Sequence, residues 1–131
     1  MVKIYYPGKR KVLNWELLVA WLAFLDSLDL CGCLADDMGL GKTIQVIARL
    51  LHEQSQADRQ PPTLLIAPTS VLGNWQKEIE RFAPQLQTLI HHGANRCKDV
   101  KLFSEDVLEK DVIIVSYSLA LRDVPLLSAL R

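Results

Sequence analysis

The chain has 131 residues, enough for one domain around one hydrophobic core. Half of them (50%) are hydrophobic and 23% are charged, ordinary for a soluble globular protein, and 15 basic side chains balance 15 acidic ones, so bulk charge points to no nucleic-acid partner. No apolar run has the length of a membrane span, and the opening Met-Val-Lys-Ile-Tyr-Tyr-Pro lacks the apolar core of a secretory signal.

Lys3, Lys9, Arg10 and Lys11 make a basic start that reads as a solvated tail. From Leu13 to Leu28, Leu13, Leu17, Trp21, Phe24, Leu25 and Leu28 recur at steps of three and four, the stripe of an amphipathic helix. Cys31 to Ala35 is a short, nearly all-apolar run and is expected to be a buried strand. Its C-x-C spacing, even with His91 and His92 in the chain, does not match the C-x-x-C of zinc sites. The odd set Cys31, Cys33 and Cys97 forms no disulfide framework and suits a reducing compartment. The expected location is inside the cell, cytoplasmic or nuclear.

Asp36 to Gly41 reads as a glycine-containing loop and Thr43 to Glu53 as a helix with Ile44, Ile47, Ala48 and Leu51 on one face. Gln54 to Pro62 is a polar surface loop ending in Pro-Pro. Thr63 to Ala67 is a second buried strand; Pro68 closes it, and Thr69 or Ser70 is placed to cap the next helix. That helix runs to about Phe82 with Val71, Leu72, Trp75, Ile79 and Phe82 inward, and Pro84 stops it. Leu86 to His91 is a third strand, followed by the turn His92-Gly93-Ala94-Asn95. Val100 to Leu108 reads as a helix, Asp111 to Tyr117 as a β-branched fourth strand, and Leu119 to Leu130 as a short helix. Strands alternating with helices call for an α/β domain, a parallel sheet flanked by helices.

The residues with the most specific chemistry are Asp36-Asp37-Met38-Gly39-Leu40-Gly41-Lys42-Thr43, between an expected strand and a helix. This is the context of a phosphate-binding loop. Gly39 and Gly41 let the backbone curl so that several N–H groups converge, and the helix N-terminus adds its partial positive charge. Lys42 brings a full charge to the outer phosphates of ATP, and the Thr43 hydroxyl is placed to ligate Mg2+. Asp36 stands where the strict G-x-x-x-x-G-K-[ST] pattern has its first glycine.

Leu34 to Ala48, Leu-Ala-Asp-Asp-Met-Gly-Leu-Gly-Lys-Thr-Ile-Gln-Val-Ile-Ala, closely resembles the first motif of the Swi/Snf-type helicase-like ATPases, in which the Asp-Asp-Met form of the loop is usual. Ala67-Pro68-Thr69-Ser70-Val71-Leu72-Gly73-Asn74-Trp75 with Glu78 and Phe82 is similar to the family's next motif. His92-Gly93 with Arg96 resembles the one after, and Val115-Ser116-Tyr117 a fourth. The resemblance covers roughly Val19 to Leu130, with residues 1–18 unlike the family. It implies a P-loop (RecA-like) lobe, the ATP-binding part of a motor that uses ATP and Mg2+ to track along double-stranded DNA. It also implies DNA-backbone contacts by Thr69, Ser70, Ser116 and Tyr117.

Two departures qualify this. Trp15 stands where the family has an adenine-contacting Gln, which implies weak discrimination between ATP and GTP. The chain also stops at Arg131, before the family's Asp-Glu motif and second lobe. A truncated lobe of this kind is expected to bind nucleotide without turning it over and to need a separate chain carrying the rest of the motor. The alternative is a truncated or split-gene remnant.

Overall fold

The computed structural model describes residues 15–33, 41–56 and 61–128, with the side chains of residues 15–18 also left aside. The chain divides into two units, residues 1–58 and 59–131. In the first, α1 (Trp15–Ser27) and α2 (Lys42–Gln56) are the described elements.

The end of α1 is a Schellman turn: the Leu30 N–H donates to the Leu25 carbonyl and the Asp29 N–H to that of Asp26, both at 3.0 Å. Asp29 occupies the left-handed position of this turn, at φ 54°. Glycine adopts that conformation without the Cβ–carbonyl clash. Asp29→Gly is therefore expected to raise stability by about 1 kcal/mol, read from the urea midpoint. An unchanged or lower midpoint would mean that the Asp29 carboxylate offsets the strain.

Two expectations for this unit are corrected. Cys31 to Cys33 is not in strand form and both cysteines are exposed, while Leu34 and Ala35 lie outside the described residues. The segment instead lies along α1, so close that a Cβ on Gly32 would sit 3.0 Å from a Leu25 methyl and 3.1 Å from one of Leu22. An apolar run becomes a strand only when neighbouring strands take up its backbone groups, and periodicity does not report whether those neighbours exist. The apolar stripe of α1 is likewise largely open, with Trp21, Phe24 and Leu28 exposed and Val19 buried. In α2 the inward face holds, with Ile47, Ala48, Leu50 and Leu51 buried, and the helix runs on to Gln56. Arg49 bridges the two helices, donating to Asp26 and, at 2.8 Å, to Glu53 one turn along.

The second unit is a three-stranded parallel sheet in the order β1-β3-β2, with β1 Thr63–Ala67, β2 Thr88–His91 and β3 Val112–Ser116. Every residue of the central strand β3 is buried, as its uninterrupted Val-Ile-Ile-Val run requires. Register sets Leu65 beside Ile114 and Ile114 beside Ile90. At the N-terminal edge Asp111 ties the strands together. Its carbonyl accepts from Thr63 N–H at 2.8 Å, its N–H donates to Gln87 O at 2.8 Å, and its carboxylate accepts from Gln87 N–H at 2.7 Å.

Four helices accompany the sheet: α3 (Leu72–Phe82), α4 (Val100–Val107), α5 (Tyr117–Arg122) and α6 (Val124–Leu127). Asp99 caps α4 by accepting from the Lys101 and Leu102 N–H groups. The single helix expected over Leu119–Leu130 is two. Pro125 has no N–H to donate and its ring would crowd the carbonyl four residues back, so the chain turns at Asp123 and restarts. Phe103, Val107, Ile113 and Leu126 form the core cluster, with Leu64, Leu89, Cys97 and Leu127 packed around it.

Candidate functional site

Leu34 to Leu40, which contains Asp36, Asp37, Met38, Gly39 and Leu40, lies outside the described residues. What is described is the end of the loop. Gly41 has φ +77°, a left-handed conformation, and among the described residues beyond its chain neighbours no atom lies within 4 Å of where its Cβ would be. Its carbonyl accepts from the Gln45 N–H at 3.1 Å, closing the first turn of α2. Lys42 and Thr43 are the first two residues of that helix, both half-buried. The first turn of α2 carries no acidic side chain of its own to offset the positive end of the helix. An open glycine, a lysine and a hydroxyl at a helix N-terminus are a donor set that fits a nucleotide phosphate with its Mg2+.

In the second unit the parallel strands all end on one side of the sheet, the side on which open α/β sheets place their ligands. Ala67 and Ser116 pair at that edge, and His91 lies beside Val115. Thr69, Ser70, Ser116, Tyr117 and the His92–Asn95 loop therefore leave the sheet from a common edge. Thr69 and Ser70 are exposed in a 3-10 turn (Thr69–Val71); the N-cap positions of that turn and of α3 are Pro68 and Val71, so neither hydroxyl stands at an N-cap. Tyr117 is 59% exposed. Ser116 differs from these: it is buried, and its hydroxyl accepts from the Leu119 N–H to cap α5. Trp75 is half-buried on α3.

Beside this edge sits a charged cluster that the sequence reading passed over. The Asp123 carboxylate accepts from Arg96 Nε at 2.7 Å and from Arg96 Nη2 at 3.3 Å. It also lies 2.8 Å from His91 Nε2. An ionised carboxylate only accepts, so that imidazole nitrogen carries the proton and donates. The His91 ring meets the edge of Phe103 at 5.1 Å. The Arg96 fork, with the His91 bond added and burial opposing both, lowers the Asp123 carboxyl from 3.8 to about 2. Arg96 in turn is raised by its bond to Asp123. A signal for Asp123 was present in the sequence. It falls on the same helical face as Leu119 and Leu126, both buried, and a carboxylate on a buried stripe needs a partner.

The sign of the acid dependence follows. A carboxyl whose folded pKa lies below its unfolded value stabilises the fold above about pH 4. That contribution fades as pH falls through the folded value near 2. With a discount for solvent screening it is on the order of 1–2 kcal/mol. Asp123→Asn is expected to lower stability at neutral pH and to flatten the acid limb of the stability curve between pH 4 and 2. An acid limb identical to that of the wild type would remove Asp123 from the account.

Residues 16–131 match the SNF2-related domain. The chain belongs to the SNF2 family of helicase-like ATPases. A Bacillus subtilis relative, the ATP-dependent helicase/translocase YwqA, is 48% identical over 109 residues, covering 83% of this chain and 12% of its own length. The human chromatin-remodeling ATPase INO80 is 39% identical over 111 residues, covering 79% of this chain and 7% of its own. Among solved structures, the Sulfolobus solfataricus SWI2/SNF2 ATPase core in complex with dsDNA superposes with a TM-score of 0.71 at 34% identity, covering 95% of this chain and 25% of that one. The fold is that of the RecA-like lobe of an SNF2 ATPase core. This SNF2 chain spans only a small part of the relatives it matches. No helix among its described residues is long and apolar enough to cross a membrane.

Proposed function

We propose that this SNF2-family chain is the ATP-binding part of a double-stranded DNA translocase. The observation that carries the reading is the start of α2: Lys42 and Thr43 open a 15-residue helix directly after the left-handed Gly41, inside a stretch that matches the SNF2-related domain. In this reading Asp36 to Thr43 wrap the phosphates of ATP. The Lys42 ammonium pairs with the outer phosphates, and the Thr43 hydroxyl is the protein's ligand to Mg2+, which would neutralise charge on the phosphates when bound. Thr69, Ser70 and Tyr117, exposed at the C-terminal edge of the sheet, meet the phosphate backbone of one DNA strand. Ser116 serves the same face from within by holding the first turn of α5. Backbone contacts of this kind read no sequence, in keeping with movement along DNA of any sequence. The DNA partner is supported by the dsDNA complex of the Sulfolobus relative.

The test is binding of MgATP by calorimetry and of a fluorescent duplex by anisotropy, each with the 131-residue chain. The reading expects both ligands to bind, Thr69→Ala with Ser70→Ala to weaken the duplex only, and Thr43→Ala to weaken nucleotide only when Mg2+ is present. Failure of the chain to bind either ligand would remove it.

A further inference from the structure

The segments that follow β2 and β3 at the C-terminal edge are joined by one buried carboxylate. After β2, the chain forms the exposed turn His92–Asn95, in which Gly93 is left-handed at φ +87°. Arg96 closes that turn from beneath, its Nη1 donating to the Gly93 carbonyl at 3.2 Å. The rest of the same guanidinium forks onto Asp123, which sits at the junction of α5 and α6, the helices that follow β3, the first of them opening with Tyr117. His91, the last residue of β2, donates to the same carboxylate oxygen. One guanidinium thus holds both the carbonyl of the turn and the carboxylate of the helix junction, and its planar fork fixes direction as well as distance.

We propose that Asp123 is a positioning residue for nucleic acid: through Arg96 and His91 it sets the place of the His92–Asn95 turn relative to Tyr117, so that both meet the backbone of a duplex together. Asp123 itself is 8% exposed and does not reach the ligand. The inference rests on the reading of this edge as the DNA face. What it adds is that a negative charge behind the face is needed for binding.

That gives the test an unusual sign. Removing an acidic side chain near a DNA site ought, on charge alone, to strengthen binding or leave it unchanged. Positioning requires the opposite. Duplex affinity is to be measured by anisotropy across a salt series for the wild type, Asp123→Asn and Arg96→Lys. The expected result is a loss of about tenfold in both variants, the scale of one well-placed contact, with the salt slope unchanged. Arg96→Lys keeps the charge but loses the fork, so it decides the matter if Asp123→Asn does not fold. Hydrogen exchange provides a second readout: the hydrogen-bonded amides of Asp123, Leu126 and Leu127 at the α5–α6 junction should exchange faster in Arg96→Lys while those of β3 stay protected. Equal or tighter binding by the variants, or unchanged protection of the junction amides, overturns the proposal. If Thr69→Ala with Ser70→Ala weakens the duplex while Asp123→Asn and Arg96→Lys do not, the DNA face stands and the positioning role falls. If the wild type binds no duplex, both fall.

Discussion

Lys42→Ala is expected to remove nearly all nucleotide affinity from this chain. Lys42 is the first residue of α2, next to the left-handed Gly41, and in the proposed site its ammonium is the full positive charge that meets the outer phosphates. A charge-assisted hydrogen bond of this type contributes roughly 1.5–3 kcal/mol, so affinity should fall about ten- to a hundredfold. Helix propensity does not complicate the comparison, since alanine is the better helix former and α2 should be retained. Calorimetric titration of wild type and variant with MgATP measures the effect. Equal affinity in the two proteins would show that the Gly41–Thr43 segment is an ordinary helix start.

The largest expected effect on stability is that of Phe103→Ala. Phe103 is fully buried in the cluster with Val107, Ile113 and Leu126, and its ring packs edge-on against His91. Truncation removes the transfer energy of the ring and leaves a cavity that its neighbours fill only in part, at a cost of about 3–5 kcal/mol. Domains of this size are stable by only about 5–15 kcal/mol, so the variant should be close to the limit of folding at 37 °C. In urea the midpoint should drop sharply with the slope preserved. A loss below about 1 kcal/mol would mean that the site collapses around the missing ring and that the core lies elsewhere. Because Phe103 also backs His91, the Arg96–Asp123 contact should loosen in any variant that still folds.

Much of the candidate site was legible before any tertiary structure was known, because it depends on local pattern. Gly41, Lys42 and Thr43 could be placed at a helix start from spacing alone, and the helix begins there. β1 has the predicted bounds, and β3 differs by one residue at each end, since uninterrupted β-branched runs between turn signals specify buried parallel strands. The stop of α3 before Pro84 and the turn at Gly93 follow from backbone restrictions that any chain would share.

What was not legible depends on partners distant in the chain. The run Cys31–Cys33 has the composition of a strand and is not in strand form, because a strand is a property of its neighbours as much as of its own side chains. Ser116, for which the resemblance implies a DNA-backbone contact, is buried and its hydroxyl caps the first turn of α5, a position set by where β3 ends in the sheet. Asp123 gave only the hint of a carboxylate on an apolar stripe. Its partner Arg96 is 27 residues away, and no local rule links the two. The sequence by itself determined the family motifs and the order of strands and helices, which are short-range and repeat the same physics in every chain that uses them. The tertiary structure decided which hydroxyls face solvent, which apolar run finds a neighbour and which charges meet beneath the sheet edge, because these follow from long-range pairing and burial that no window of sequence contains.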